Sequence, residues 1–325
     1  MPDLVTLADI SAAAGRIAGV AVHTPLVPFP GQPLLIKAES LQPTGSFKLR
    51  GAYAVISALD AGARRRGVLA HSSGNHAGAV GYAAARLGVP AVLVIPANAP
   101  QTKLAAARAT GAEIVTVPPG LGPRIEAAGE LVARNGYTLV PPFDHQGVIA
   151  GQGTAGLEIT ADRPDTDLVL VPVSGGGLIS GVATAVKAAN PGAKVVGVEP
   201  ELAADARDSL RAGHRVAWTA QQTQRTIADA LRIEQIGELP FEHIRRYVDD
   251  IVTVSEDEIR DTVRTLATQA RLVAEPGGAV AVAAWLHHRD ELPQASTPVA
   301  VLSGGNVDPV MLAGILTGTA AVPAA

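Results

Sequence analysis

The chain has 325 residues, 47% of them hydrophobic, with 26 basic and 30 acidic side chains and a formal net charge of -4 at pH 7. That length suits two domains sharing a large interior, and the mild acidity, with no basic run, argues against nucleic acid or an anionic membrane surface as partner. Cysteine is absent, which excludes disulfides and thiolate chemistry; the N-terminus lacks a basic and apolar leader and no apolar run approaches the ~18 residues of a membrane span, so a cytoplasmic protein is expected.

In chain order, Thr6 to Gly15 reads as a capped amphipathic helix and His23 to Pro30 as an extended connector, because proline pushes its neighbours out of helix. Leu34 to Ala38 is a short strand. In Gln42-Pro-Thr-Gly-Ser-Phe-Lys-Leu-Arg50, turn residues feed a helix that runs to about Leu59 and carries Lys48 at its start. From Gly67 to Val140, apolar runs at Val68, Ala91, Glu113 and Tyr137 alternate with helical stretches after Asn75, from Gln101 and near Arg124 to Arg134, which implies a small parallel sheet covered on both faces.

Pro141-Pro142 marks a boundary. Beyond it, strands at Leu168 to Val173, Lys194 to Val198, Tyr247 to Val254 and Val299 to Leu302 build a second, larger sheet. Its helices are expected at Ile149 to Thr160, Leu178 to Lys187, near 202–211, from Asp257 and at Gly278 to His287. Arg215 to Arg225 reads as loop and the tail from Leu316 as frayed. The expected architecture is α/β in two domains, each a mostly parallel sheet flanked by helices. Residues 1–66 and 145–325 form a discontinuous large domain, and residues 67–144 a small one.

Three strand ends collect chemistry. Ser174-Gly-Gly-Gly177 lies between a buried strand and an Ala/Val-rich helix, where backbone amides and the helix dipole attract an anion; a plain tight turn is the ordinary alternative. Two cofactors suit this stretch. A dinucleotide would place Glu199 at a ribose, but Gly175-x-Gly177-x-x-x-Gly181 departs from the G-x-G-x-x-G pattern. A small phosphorylated cofactor would have its reactive end handled elsewhere in the chain.

His71-Ser-Ser-Gly-Asn-His76 gathers hydroxyls, an amide and free N–H groups suited to a carboxylate, against the alternative of an N-cap turn. Ser303-Gly-Gly-Asn306 repeats the arrangement. Lys48 by itself could be a solvated helix lysine. His71 and His76 share no helix face and do not form a zinc pair. His287 and His288 are expected to be solvated, and Asp249-Asp250 and Glu256-Asp257-Glu258 to be dipole-stabilising surface charge.

Together Ser46-Phe-Lys48, Ser72-Ser-Gly-Asn-His76, Ser174-Gly-Gly-Gly-Leu178 and Ser303-Gly-Gly-Asn306 resemble the serine/threonine dehydratase and serine racemase family of pyridoxal-phosphate enzymes, of the tryptophan-synthase-β-like fold type II. The similarity continues through Val148 to Thr154 and Thr226-Ile-Ala-Asp229.

The resemblance implies that Lys48 binds pyridoxal 5'-phosphate covalently and acts as base at Cα. The phosphate would rest on Gly175, Gly176 and Gly177, with Asn75 at the ring 3-oxygen, Ser303 at the pyridine nitrogen, and Phe47, Ser174 and Leu178 completing the cofactor pocket. Ser72, Ser73, Asn75 and His76 would grip the substrate carboxylate, with Arg124 a further candidate. Ser73 stands where family racemases carry a serine able to protonate the opposite face of Cα. Phe143-Asp144 matches the dehydratase pattern, whereas Asp229-Ala230 and Ile233 depart from the family pattern.

Glu199, Ala203 and Asp205 match the family's site for a divalent cation, magnesium or calcium. The implied activity is dehydration of L-threonine, L-serine or a related 3-hydroxy amino acid to a 2-keto acid and ammonia. Serine racemase is the alternative and a nicotinamide-dependent oxidoreductase the remote one. A homodimer is expected, and, since the chain stops soon after Asn306, no C-terminal regulatory domain.

Overall fold

Runs of β-branched residues bounded by proline and glycine form the strands, and their apolar character on every face buries them between helices. A computed structural model of the chain describes residues 3–72, 74–99 and 101–319, without the side chains of 101–103. The strands are β1 (Leu26–Pro28), β2 (Leu35–Ala38), β3 (Val68–His71), β4 (Ala91–Pro96), β5 (Glu113–Val117), β6 (Thr138–Leu139), β7 (Leu168–Pro172), β8 (Lys194–Pro200), β9 (Asp250–Val254) and β10 (Pro298–Leu302).

Six form one sheet in the order β1-β2-β10-β7-β8-β9 and four form another in the order β5-β4-β3-β6. Every pairing is parallel except β1 with β2. All residues of β7 and β10 are buried. One side of the larger sheet packs on the helix Pro276–His287, buried from Pro276 through Trp285. Its other side packs on the helix Gly177–Ala189, against which the helix Gln146–Asp162 lies closely. A Cβ on Gly181 would stand 2.3 Å from the Ile149 carbonyl oxygen, so only glycine permits that approach.

Because β2, β10 and β7 are parallel neighbours, their C-terminal ends open on the same edge. The order runs outward from β10 in both directions, to β2 on one side and to β7, β8 and β9 on the other. That reversal is the kind of switch point at which a ligand crevice forms.

Several local expectations are corrected. The connector at His23 to Pro30 contains β1, an antiparallel edge strand that tolerates Pro28. Arg215 to Arg225 is not all loop, since Thr219 opens the short helix Ala220–Thr223 with a capping box. The strand expected from Tyr247 begins at Asp250, because Glu238–Tyr247 is a helix with an acid at its start and arginines at its end. Helices Ala61–Arg66 and Pro309–Thr317 were not anticipated. His288 is not simply solvated. It bridges Glu291 at 2.8 Å and Glu258 at 3.0 Å, and these carboxylates hold its pKa above the usual value against the effect of burial.

Three buried charges and the half-buried Glu158 tie the larger sheet to its helices. Arg50 is fully buried; its Nε and Nη2 donate to the two Glu39 oxygens at 2.7 Å each, and Nη1 and Nη2 reach Glu158 at 2.7 and 2.8 Å. Lys37, also fully buried, donates to Glu158 at 2.5 Å and to the Thr24 carbonyl at 2.6 Å. Two cations thus balance two carboxylates, and each carboxylate has several donors, the condition under which buried charge is tolerated. Removing one member leaves its partners uncompensated. Arg50→Met is expected to lower stability by about 3–5 kcal/mol, read as a fall in the urea midpoint at unchanged slope.

Candidate active site

Lys48 is the first residue of the helix Lys48–Ser57, and the loop that delivers it is stitched to the end of β10. The Phe47 amide donates to the Ser303 carbonyl at 3.1 Å, the Gly305 amide to the Gly45 carbonyl at 2.9 Å, and Ser46 pairs with Gly304 in an isolated bridge. The Lys48 amine donates to the Pro142 carbonyl at 2.7 Å and lies 5.0 Å from the Phe47 ring centroid. Burial pushes its pKa down to about 8, opposed by the nearby Glu275 carboxylate. A helix N-terminus also disfavours a cation. A solvated lysine is therefore ruled out; near pH 7 about one amine in ten is already neutral.

The glycine turn lies on the other side of the same dipeptide. Pro142 accepts from the lysine, while the ring of the next residue, Phe143, packs on the turn, where a Cβ on Gly175 would stand 2.2 Å from it. Gly176 has φ 88°, in the left-handed region, and a Cβ there would meet Pro240 at 2.7 Å. The glycines thus serve packing and turn geometry together. Gly177 starts the helix Gly177–Ala189, whose first-turn amides have no intrahelical acceptors. Leu178 is buried in the same core cluster against which Phe47 packs, and Ser174 is half-buried at the turn. Ser303 is buried at the end of β10, its amide donating to the Gly278 carbonyl at 3.4 Å.

In the smaller sheet, β3 ends at His71 and the helix Asn75–Leu87 follows. Ser72 accepts from the Gly74 amide at 3.3 Å; Ser73 lies outside the described residues. His76 differs from expectation. Its side chain is buried, with Nε2 2.8 Å from the Val140 carbonyl, and burial followed by the Lys48 charge pushes its pKa down to about 3. A neutral ring must donate that Nε2 hydrogen to the carbonyl, so His76 can offer a carboxylate only its backbone N–H. Arg124 donates to the Gly120 carbonyl at 2.9 Å, and its charge, after burial, lowers the pKa of His71. This places a cation near the end of β3.

Glu199, on β8, and Asp205 are fully buried. Glu199 accepts from the amides of Ala206 at 3.1 Å and Arg207 at 2.8 Å, which encloses it and leaves no role at a ribose. Burial, then the Asp205 charge, raises the Glu199 pKa, and burial raises Asp205 to about 7. Neither Asp205 oxygen has a well-formed hydrogen bond. Ala203 is buried in the turn between them. No cluster of three or more histidine or acidic side chains suited to a metal exists among the described residues.

Taken together, these groups fit a small phosphorylated aldehyde: a partly neutral amine in a desolvated pocket, and beside it a helix N-terminus opened by a glycine turn for the anion. A scan against protein-family models matches residues 17–304 to the pyridoxal-phosphate dependent enzyme family. The chain belongs to that family. It is 42% identical over 315 residues to the L-threonine ammonia-lyase of Thermotoga maritima, covering 95% of this chain and 77% of that protein. It is 37% identical to the serine racemase of Schizosaccharomyces pombe, covering 94% and 95%. The crystal structure of the T.th. threonine deaminase superposes with a TM-score of 0.88 at 47% identity, covering 93% of this chain and 99% of that one. Fold type II, with its helix-flanked parallel sheets, is thereby established.

Sequence reasoning missed two members of the site. The Pro142 carbonyl carries no side-chain signal. Glu275 lies beside Lys48 and Asn75, and the only hint was its place before Pro-Gly-Gly at a helix start. Capture of pyridoxal phosphate by the cofactor-free protein, followed by visible absorbance, should quicken about tenfold per pH unit below the Lys48 pKa and level off above it. Lys48→Ala should give no visible band.

Proposed function

We propose that the chain is a pyridoxal-phosphate-dependent ammonia-lyase acting on L-threonine, L-serine or a related 3-hydroxy amino acid. The observation that carries this reading is the Lys48 amine, held partly neutral between the Ser303 turn and the glycine turn. Its similarity to an L-threonine ammonia-lyase along nearly the whole chain supports it. When bound, pyridoxal phosphate supplies an aldehyde for the substrate amine and a ring that takes up the electron pair left by the Cα–H bond.

Lys48 then serves as base, since an amine with pKa near 8 accepts the Cα proton at neutral pH and can return it. The first-turn amides of the helix Asn75–Leu87 hold the substrate carboxylate with Ser72, and Arg124 adds positive charge. Ser303 presents a hydroxyl, which does not compel a ring nitrogen to stay protonated as a carboxylate would. A hydroxyl at that position would suit a moderate electron sink, the condition under which loss of the β-hydroxyl outpaces a long-lived carbanion. The hydroxyl leaves with a proton as water, and the enamine so formed adds water to give the 2-keto acid and ammonia.

Serine racemisation is the second reading, favoured by Ser73 and by the similarity to a serine racemase. We also infer a divalent cation between Glu199 and Asp205, supported by the two Asp205 oxygens, neither of which has a well-formed hydrogen bond. Water and a backbone carbonyl such as that of Ala203 would complete its oxygen shell. The homodimer implied by the resemblance and the cytoplasmic location expected from the sequence belong to the same proposal; sedimentation equilibrium and cell fractionation test them. Among the described residues no helix is long and apolar enough to cross a membrane.

Incubation of the loaded enzyme with L-threonine or L-serine should release equal amounts of 2-keto acid and ammonia, and neither from Lys48→Ala. Formation of D-serine in comparable amount, lost in Ser73→Ala, would make racemisation the main activity. Magnesium at about 100 times its dissociation constant should stabilise the protein by ~2.7 kcal/mol, seen as a higher Tm. Asp205→Asn should abolish that response.

A further inference from the structure

Asn75 stands at the start of the helix that follows β3, and both ends of its side-chain amide are held. Its Nδ2 donates to Glu275 Oε1 at 2.6 Å, and its Oδ1 accepts from Asn306 Nδ2 at 2.8 Å. Chemistry forces which end faces which neighbour. An ionised carboxylate can only accept, so the NH2 end of Asn75 must face Glu275 and the carbonyl end must face Asn306.

Both neighbours are themselves fixed. Asn306 Nδ2 also donates to the Thr44 carbonyl at 2.8 Å, and its amide fills the space where a Cβ on Gly45 would stand, 2.2 Å away. Glu275 precedes the helix Pro276–His287, and its amide donates to the Gly304 carbonyl at 3.1 Å. The chain reaches Glu275 through a π-helical turn, Leu266–Ala270, and then Arg271 at φ 57°, the one non-glycine residue with positive φ among those described. Strain of this kind persists where surrounding structure enforces it, and it lies four residues before Glu275.

Glu275 is close enough to act on the Lys48 amine, so the clamped amide borders the pocket of the lysine. An NH2 group has two hydrogens, and Glu275 takes one. We propose that Glu275 and Asn306 are positioning residues that hold the Asn75 amide with its N–H end, not its carbonyl, turned toward an anionic oxygen of the cofactor bound at Lys48. This rests on the pyridoxal-phosphate reading above, and the oxygen concerned is the phenolic one next to the aldehyde. With the clamp loosened, the amide can rotate and bring a carbonyl oxygen against an anion, exchanging a charge-assisted hydrogen bond for repulsion.

Glu275→Gln tests this with nearly unchanged shape, because glutamine can face Asn75 with either end. Pyridoxal phosphate is titrated into the cofactor-free wild type and variant at about pH 9.5, where Lys48 is neutral in both, so that loss of the Glu275 charge beside the amine does not enter. The variant should bind the cofactor about tenfold more weakly, the loss of one hydrogen bond to a charged group. The pH midpoint of its visible band should move upward, while the Tm of the cofactor-free protein stays unchanged. Asn306→Ala should move affinity and midpoint the same way, and Glu275→Asp should restore part of both.

Unchanged affinity and midpoint in Glu275→Gln, or a loss of affinity matched by a fall in cofactor-free Tm, overturns the positioning role. Failure of the wild type itself to bind pyridoxal phosphate overturns the functional reading instead, and the inference with it.

Discussion

The guanidinium of Arg50 is the constraint on which the rest of the structure depends. Arginine keeps its charge inside a protein, so burying it obliges the fold to bring carboxylates to it. Glu39 follows β2, and Glu158 comes from the helix Gln146–Asp162. The charge thus fixes the helix Lys48–Ser57 in position and rotation against two other elements. Lys48 stands two positions earlier on that helix, so the same anchoring supports the amine that points toward the Pro142 carbonyl. A geometry good to fractions of an ångström at a reacting group requires this kind of support from beneath.

Local stability is given up where function is proposed. The lysine amine sits in a desolvated pocket at the positive end of a helix dipole, and Glu199 and Asp205 are buried beside each other with raised pKa values. None of these would be chosen for stability alone. The Arg50 network, by contrast, is electrically balanced and closely bonded, and it lies next to the site. The satisfied network and the strained groups thus follow opposite rules, and such departures from local consistency are expected at functional regions.

Much of the fold was legible because buried parallel strands read as unbroken apolar runs: β7, β8 and β10 were recoverable from Leu168, Lys194 and Val299 onward. The glycine turn was legible because three consecutive glycines exceed what a plain turn needs, whereas Lys48 alone could pass for a solvated helix lysine and stood out only through the family resemblance. What escaped notice was set by contacts distant in the chain. β1 exists because β2 offers it an edge, and the helix Glu238–Tyr247 lacks a capping side chain of its own, its first amides being met by Asp144 almost a hundred residues away. The His76 side chain looked available because no pattern in the sequence reveals that the Val140 carbonyl already holds it. Backbone acceptors are invisible in a sequence, and here the Pro142, Val140 and Ser303 carbonyls each hold part of the site.

Consecutive residues in the segment that leaves β6 are tied to separate parts of the molecule. Pro142 holds the lysine amine, Phe143 lies on the glycine turn, Asp144 caps the helix Glu238–Tyr247 and His145 caps the helix Gln146–Asp162. These four residues span at most about 10 Å even when fully extended, and the His145 amide, donating back to the Phe143 carbonyl at 2.9 Å, draws them closer still. The segment is therefore a short, folded junction, and a displacement of the smaller sheet at its near end reaches the amine, the anion cradle and both helix ends together.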